Sequence, residues 1–184
     1  MIISVIGNLF DAKEKSSLGH CISSDAAMSK GIAKTFVSKY PQLKTLHKTR
    51  LRIGTAVPVL ISGKYIYNLV TKKHFWSKPI LKTLKSCIKA MRIHAEMWGV
   101  KAVCLPRLGA GLDLFNFARD VLPILTRVFE GSQVTVYVYS LSTSSSIERY
   151  VVLRTSHSKL FFSFELINTD KYSVWLTYLC PRML

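Results

Sequence analysis

The sequence predicts an α/β sandwich, in which helices cover a mixed β-sheet. Short apolar or β-branched runs, typical of strands, alternate along the chain with stretches whose apolar residues repeat every three or four positions. A chain of 184 residues with a hydrophobic fraction of 49% is long enough and apolar enough to bury a substantial core. Because ligand-binding loops cluster at strand ends in such folds, the loops that follow strands are the first candidates for a site.

The first half of the chain is predicted to contain four strands and one helix. Ile32, Phe36 and Val37 stand at helical spacing, so a loop leads into a helix that ends near Tyr40 and Pro41. The last two strands flank Gly63 and Lys64, which predicts a hairpin. The predicted strands are residues 2–6, 18–23, 57–62 and 65–71.

A long helix is predicted from Pro79 to Trp98, with Gly99 ending it. The helix has a basic face, and such faces are more often solvated than bound to nucleic acid. The basic residues of that face are Lys82, Lys85, Lys89 and Arg92. The apolar stripe of the helix comprises Leu81, Leu84, Ile88, Met91, Ala95 and Trp98.

The remaining predicted elements are two strands and a helix between them. Residues 100–105 and 133–139 are the strands. Asp120 is expected to cap the helix, which carries Pro123 in its first turn and Phe129 near its end.

A glycine-rich loop, residues 105–113 (LPRLGAGLD), follows one of these strands. Gly109 and Gly111 let a ligand approach the main chain closely, and loop N–H groups near a helix start bind anions such as phosphate. Asp113 ends the loop, where its carboxylate would face whatever the loop holds. Gly31 begins a second candidate phosphate loop. The alternative for both segments is an ordinary turn and an ordinary start of a helix.

The charge of the chain is strongly basic. There are 26 Lys and Arg against 10 Asp and Glu, a formal net charge of +16. Such a surface attracts nucleic acid, acidic lipid headgroups or a phosphorylated ligand, although an ordinary solvated basic surface is the alternative.

The cysteines predict neither a metal site nor disulfides. Cys21, Cys87, Cys104 and Cys180 form no CxxC pair and have no histidine at zinc-ligand spacing. Cys21 and Cys104 lie in apolar runs and are expected to be buried thiols. With no signal-peptide pattern and no apolar run of membrane-spanning length, we expect a soluble intracellular protein of the nucleus and/or cytoplasm.

The sequence suggests two regions, residues 1–139 and residues 140–184. The first carries the α/β pattern, and the second begins with a serine-rich linker at 140–146 and continues as an extension of unknown role. Within that extension, residues 150–153 and 160–166 have the composition of a possible hairpin.

Five segments of the chain occur in an order that is typical of one family. They are GNLF at 7–10, LGHCISSD at 18–25, KGIA at 30–33, GKYIYNLVTKKHFWSKP at 63–79 and LPRLGAGLD at 105–113. With these segments the chain resembles the macrodomain family, specifically its terminal ADP-ribose protein glycohydrolase branch, also described as O-acyl-ADP-ribose deacylases. The resemblance covers residues 1–139 and implies a three-layer α/β/α fold, a mixed central sheet and an ADP-ribose cleft.

The resemblance also implies a set of site residues, with no cofactor and no metal. Lys72 would act on the distal ribose, and Asp113 would complete the reaction. The implied ADP-ribose-binding positions are Asn8, Leu9, Ser23, Asp25, Gly31, Ile32, Ala33, Gly109, Ala110, Gly111 and Leu112.

Two positions depart from the family pattern. Asn8 stands where the family usually has an aspartate that accepts a hydrogen bond from the adenine amino group, so adenine binding is expected to be weaker. Lys30 occupies a usually glycine-rich position, where it would either crowd the cleft or add a phosphate contact.

Three functions therefore stand as hypotheses. The first is a hydrolase that removes ADP-ribose from glutamate- or aspartate-linked mono-ADP-ribosylated proteins, deacylates O-acyl-ADP-ribose, or does both, through a lysine–ribose intermediate. The alternative is a reader that binds ADP-ribose without turnover. The third is a basic nucleic-acid-binding protein, although base-stacking aromatic residues are not evident in the sequence. The expected partners are ADP-ribose or ADP-ribosylated proteins, with nucleic acid as a further possibility through the basic surface; we expect a monomer and no membrane association.

Overall fold

A computed structural model describes residues 1–141, 149–154 and 159–164, and the side chains of residues 1–141. Apart from Ser140 and Leu141, the predicted serine-rich linker lies outside the described residues, as do residues 165–184 with Cys180.

The described strands form one mixed eight-stranded sheet in the order β3-β4-β2-β5-β6-β1-β7-β8. Strands β4, β2, β5, β6 and β1 run parallel to one another, whereas β3, β7 and β8 each run antiparallel to a neighbour. The bounds are β1 (Ile2–Ile6), β2 (Ser17–Ser23), β3 (Ala56–Ile61), β4 (Lys64–Lys72), β5 (Ala102–Pro106), β6 (Thr135–Ser140), β7 (Arg149–Arg154) and β8 (Lys159–Phe164).

Three α-helices accompany the sheet within the described residues: α1 (Gly31–Lys39), α2 (Leu81–Met97) and α3 (Leu122–Val128). Two short 3-10 helices, Leu9–Asp11 and Pro41–Lys48, follow β1 and α1. A single π-helical turn, Phe117–Val121, runs directly into α3.

The sheet separates two hydrophobic cores. Strand β4 contributes Tyr67 and Leu69 to the core under α2 and α3, and Ile66 and Val70 to the core that contains Phe36 of α1. Because successive side chains of a strand point to opposite faces, an apolar strand such as β4 can be buried on both sides. The structure therefore confirms the predicted three-layer α/β/α fold with a mixed central sheet.

The predicted hairpin places β4 in the sheet. Strand β3 pairs antiparallel with β4, and the connecting residues Ser62 and Gly63 have φ of +49° and +76°. Two consecutive positive φ values are typical of the tight turn that matches strand twist. The hairpin carries the chain toward Lys72, the last residue of β4.

Two expectations from the sequence are wrong in detail. Trp98 does not join the apolar stripe of α2, because the helix ends at Met97 and the Trp98 side chain is 61% exposed. Asn116 rather than Asp120 caps the helical segment before α3, since the Asn116 side chain accepts a hydrogen bond from the N–H of Arg119 and Asp120 accepts one from the N–H of Asn116.

The predicted burial of two thiols holds. Cys104 is buried, and Cys21 retains partial exposure as a residue while its thiol is surrounded by protein.

The C-terminal region contributes two strands to the same sheet. Strand β7 pairs with β1, with Val152 opposite Ile2, and β8 pairs with β7, with Lys159 opposite Arg154. The division into a domain of residues 1–139 and an extension of residues 140–184 remains a prediction. Within the described part of the chain, no helix combines the length and apolarity needed to cross a bilayer.

Candidate active site

A cavity of about 440 Å³ opens at the edge of the sheet where parallel strands β2, β4 and β5 end. This volume lies within the range of about 300–1,000 Å³ that is typical of small-molecule sites. The residues that line the cavity are 21–23, 28–33, 72, 75, 106–109 and 111–113.

Lys72 and Asp113 meet in this cavity. The Lys72 Nζ lies 2.7 Å from Asp113 Oδ1, and the two side chains are only 13% and 11% exposed. Separated by 41 positions in sequence, they are brought together because β4 and β5 both end at this edge of the sheet. The result is a largely buried ion pair at the bottom of an open cleft, where its charges are weakly screened by water.

Neighbouring elements fix the end of β4 that carries Lys72. The Lys72 carbonyl accepts a hydrogen bond from the N–H of Ser24 at 2.8 Å. The preceding carbonyl, of Thr71, accepts one from the Thr83 hydroxyl of α2, also at 2.8 Å. Both the loop after β2 and the start of α2 therefore hold the Lys72 backbone in place.

The glycine-rich loop has a shape that requires glycine at one position. Gly109 has φ of +70°, and a Cβ built there would lie 2.5 Å from Cδ2 of Phe115. The N–H of Phe115 donates to the Gly109 carbonyl at 2.9 Å, which closes the loop on itself. As a result Gly109, Gly111 and Asp113 line the cavity, whereas Ala110 does not.

The start of α1 forms the opposite wall. The first N–H groups of an α-helix have no intrahelical acceptor, and the N-cap residue of α1, Lys30, provides no side-chain acceptor for them. The residues that carry these groups, Gly31, Ile32 and Ala33, line the cavity. A Cβ added at Gly31 would come within 3.5 Å of Leu112, so the two loops approach van der Waals contact there. The cleft thus lies between two backbone segments suited to a phosphate anion.

Asp25 does not line the cavity but stabilises two segments that do, through hydrogen bonds. Asp25 accepts hydrogen bonds from the Ser23 hydroxyl and, at 3.2 Å, from the N–H of Phe75, and its Oδ2 lies 3.6 Å from Nδ1 of His74. Although burial opposes ionisation, these hydrogen bonds and the nearby His74 hold the pKa of Asp25 below its ordinary value. Asp25 therefore stays ionised and ties the loop after β4 to the end of β2.

Asn8 and Leu9 also lie outside the cavity lining. The Asn8 side chain accepts a hydrogen bond from the N–H of Phe10 at 3.1 Å, which caps the short helix after β1. Leu9 is buried in the core beneath that helix. Most of the site residues predicted from the sequence line the cavity, and four do not. Those that line it are Ser23, Gly31, Ile32, Ala33, Lys72, Gly109, Gly111, Leu112 and Asp113. Those that do not are Asn8, Leu9, Asp25 and Ala110.

Several lining residues are absent from the sequence-based prediction. Cys21 faces the cavity beside the ion pair, and burial raises the pKa of its thiol far above the ordinary range, so it is a poor nucleophile. Arg107 and Phe75 also line the cavity, Arg107 directly after β5 and Phe75 three residues after the end of β4. Their positions just after strand ends are the signal that would have identified them. Among the described residues, no group of three His, Cys, Asp or Glu side chains could hold a metal ion.

The fold and the sequence both have well-characterised relatives, although no protein-family model matches the chain. The chain is 36% identical over 140 residues to ADP-ribose glycohydrolase OARD1 of Bos taurus, covering 76% of this chain and 91% of that protein. It is 35% identical to the OARD1 of Homo sapiens with the same coverage. The macrodomain of Mycobacterium tuberculosis DarG superposes with a TM-score of 0.71 at 25% identity, covering 77% of this chain and 99% of that one. The chain therefore belongs to the macrodomain family, in the branch that contains ADP-ribose glycohydrolase OARD1.

Proposed function

We propose that the chain is an ADP-ribose-binding hydrolase. It removes ADP-ribose from glutamate- or aspartate-linked mono-ADP-ribosylated proteins, deacylates O-acyl-ADP-ribose, or does both, through a lysine–ribose intermediate. The observation that carries this proposal is the ion pair of Lys72 and Asp113, 2.7 Å apart, within a cavity between two anion-binding backbone segments. The 36% identity to an ADP-ribose glycohydrolase supports the same substrate class.

The two loops account for binding of the diphosphate. The start of α1 and the glycine-rich loop both line the cleft and carry backbone N–H groups, and each segment also contains one basic lining residue, Lys30 and Arg107 respectively. Preorganised donors of this kind bind phosphate oxygens without having to reorganise. A diphosphate held there would place the distal ribose against the ion pair at the bottom of the cleft. Substrate positioning of this kind is a large part of catalysis.

For ADP-ribose joined through C1 to a protein carboxylate, the first chemical step is attack by Lys72 on C1 of the distal ribose. An ammonium group has no free electron pair, so a proton first moves from Lys72 Nζ to Asp113 Oδ1, its neighbour at 2.7 Å. The bond between Nζ and C1 then forms while the bond between C1 and the ester oxygen breaks. The acceptor carboxylate leaves with the bonding electrons, and Asp113 passes the proton to solvent.

The second step releases ADP-ribose and restores the ion pair. Asp113, again a carboxylate, takes a proton from water, and the resulting hydroxide adds to C1. The bond between C1 and Nζ breaks with its electrons returning to Nζ. Proton return from Asp113 to Lys72 regenerates the starting state.

One chain supplies both reacting groups and both phosphate loops, which supports a monomeric enzyme. Cys21, Cys87 and Cys104 are free thiols, as is typical of proteins from a reducing compartment, and this supports an intracellular location in the nucleus, the cytoplasm or both. The reader alternative would use the same cavity for binding alone.

The test is incubation with a protein that carries a glutamate-linked mono-ADP-ribose, with released ADP-ribose measured over time. Wild-type protein is expected to release it, and Lys72→Ala to lose turnover while it retains most of its affinity for ADP-ribose, since the loops bind the diphosphate. Lys73→Ala is the matched control, because Lys73 is the adjacent lysine, is exposed and does not line the cavity. Asp113→Ala is expected to accumulate a covalent adduct on Lys72, visible by intact-mass spectrometry, because solvent can still take the Lys72 proton slowly before attack, whereas activation of the water that releases ADP-ribose requires the Asp113 carboxylate.

The outcomes separate the hypotheses. ADP-ribose binding by wild-type protein with no release from any ester-linked substrate would assign the reader function. Wild-type rates in Lys72→Ala would reject the lysine mechanism while leaving the hydrolase in place. Thermal melting of each variant distinguishes loss of chemistry from loss of folding, which matters because removing one member of a buried pair destabilises a protein.

A further inference from the structure

Three consecutive aromatic side chains, His74, Phe75 and Trp76, lie in the loop after β4, which ends at Lys72, and the middle one lines the cleft; they are referred to below as the aromatic rim. Phe75 lines the cavity and is 44% exposed, and Trp76 is 68% exposed. The Trp76 ring stacks on His74, with centroids 4.6 Å apart and planes 6° apart. Phe75 meets Trp76 edge-on at 4.7 Å. The rim therefore presents flat apolar surface to solvent beside the candidate active site.

The rim is held in place rather than free to turn. His74 lies against Asp25, and the N–H of Phe75 donates to the same carboxylate. The N–H of Ser77 closes a turn onto the His74 carbonyl at 3.0 Å. Because these contacts already order the rings, a ligand that stacks on Trp76 would lose little additional conformational entropy on binding.

Apart from Asp25, which holds the rim from beneath, the segments on both sides of the rim in sequence carry only basic charges. Residues 26–95, which include the whole rim, contain fifteen Lys and Arg and no Asp or Glu. Lys73 and Lys78 flank the rim directly and are exposed. This basic half of the domain, from α1 to α2, is complementary to a polyanion.

We propose that the aromatic rim binds an unpaired base of single-stranded nucleic acid, with the phosphates of the strand along the basic half of the domain. Exposed rings combined with cations are the pattern by which proteins bind single strands, because every base has a face that stacks. A duplex hides those faces between neighbouring bases. The sequence alone did not reveal this surface, since consecutive His-Phe-Trp residues carry no sign of their exposure. If the proposed hydrolase function holds, a strand at the rim would present an ADP-ribose attached to it to Lys72.

The test measures binding of a fluorescently labelled single-stranded oligonucleotide, free of ADP-ribose, by anisotropy. Trp76→Ala is expected to weaken binding roughly 5- to 150-fold, the range that corresponds to one lost base stack. Trp76→Phe should recover part of the loss. Trp98→Ala is the matched control, because Trp98 is also exposed and stacked on a histidine, His94, but follows the end of α2 and is not part of the aromatic rim. It should bind the oligonucleotide as wild type does.

Further readouts separate stacking from charge and from the hydrolase function. Trp76→Ala should keep the salt dependence of oligonucleotide binding, since that slope counts phosphate contacts, and should keep its affinity for free ADP-ribose. A blunt-ended duplex of two complementary strands, which has no unpaired loop, should bind wild type and Trp76→Ala equally. Equal single-strand affinity of wild type and Trp76→Ala would overturn the proposal. A further probe is an acidic peptide that contains tyrosine. If Trp76→Ala weakens binding of this peptide but not of the oligonucleotide, the rim would be assigned to a protein partner instead. Because the probe carries no ADP-ribose, failure of the hydrolase proposal leaves this result interpretable.

Discussion

Gly109→Ala tests whether the glycine-rich loop has the shape described above. A non-glycine residue at φ of +70° costs about 1–2 kcal/mol. The added Cβ would also lie 2.5 Å from Cδ2 of Phe115, so the ring must move, at a further cost of about 1–3 kcal/mol. We therefore expect the free energy of unfolding to fall by about 2–5 kcal/mol. Because the same loop carries Asp113, turnover should fall as well.

Urea denaturation of wild type, Gly109→Ala and Gly111→Ala measures the effect. Gly111 is the matched control, since its φ is not positive and a Cβ there has no heavy atom within 4 Å. Its substitution should change the free energy of unfolding by less than about 1 kcal/mol, in either direction. Equal stability of Gly109→Ala and wild type, or equal losses in the two variants, would refute the loop conformation on which the phosphate-binding argument depends.

Three further predictions concern the adenine end, the C-terminal region and acid stability. The family resemblance assigns Asn8 to the adenine end, although Asn8 lies outside the cavity lining and caps the short helix after β1. If adenine binds beside Asn8, Asn8→Asp should tighten ADP-ribose binding in calorimetry by up to about 1 kcal/mol, because the hydrogen bond to the adenine amino group becomes charge-assisted. Unchanged or weaker binding counts against the assignment, and Asn116→Asp, at another capping asparagine, is the control. Truncation after Leu141 should leave the Kd for ADP-ribose within about two-fold of the wild-type value, since every residue that lines the cavity precedes Leu141. Loss of binding or of folding would show that the region that contains β7 and β8 is needed. Burial lowers the pKa of His20 from 6.5 to about 3. Between these two pH values the unfolded chain binds a proton at His20 that the folded chain does not. The free energy of unfolding should therefore fall as the pH drops from about 6.5 toward 3, by at most about 1.4 kcal/mol per pH unit. His20→Gln, which keeps a donor for Asn68, should lose this part of the slope in urea melts at several pH values; parallel slopes would contradict the assignment.

Local patterns in the sequence were sufficient to predict the secondary structure and the fold class. The hydrophobic repeat of α2 and the β-branched runs of the strands depend only on neighbouring residues, and burial on both faces makes β4 a nearly continuous apolar run. The positions where this reasoning was wrong lie at element ends. Trp98 sits one residue past the last helical turn, where the helical repeat no longer decides which way a side chain points.

The site depends on contacts that no local pattern contains. The sequence identified Lys72 and Asp113 only as ends of segments, through a family resemblance; the parallel register of β2, β4 and β5 brings their side chains to 2.7 Å. Tertiary packing also decides that Asp25 braces a loop rather than lining the cavity, and that Trp76 faces solvent while Tyr67 of the same segment is buried. The physical reason is that periodicity reports which face of an element is apolar, whereas exposure and pairing in loops are set by which elements the folded sheet places next to them.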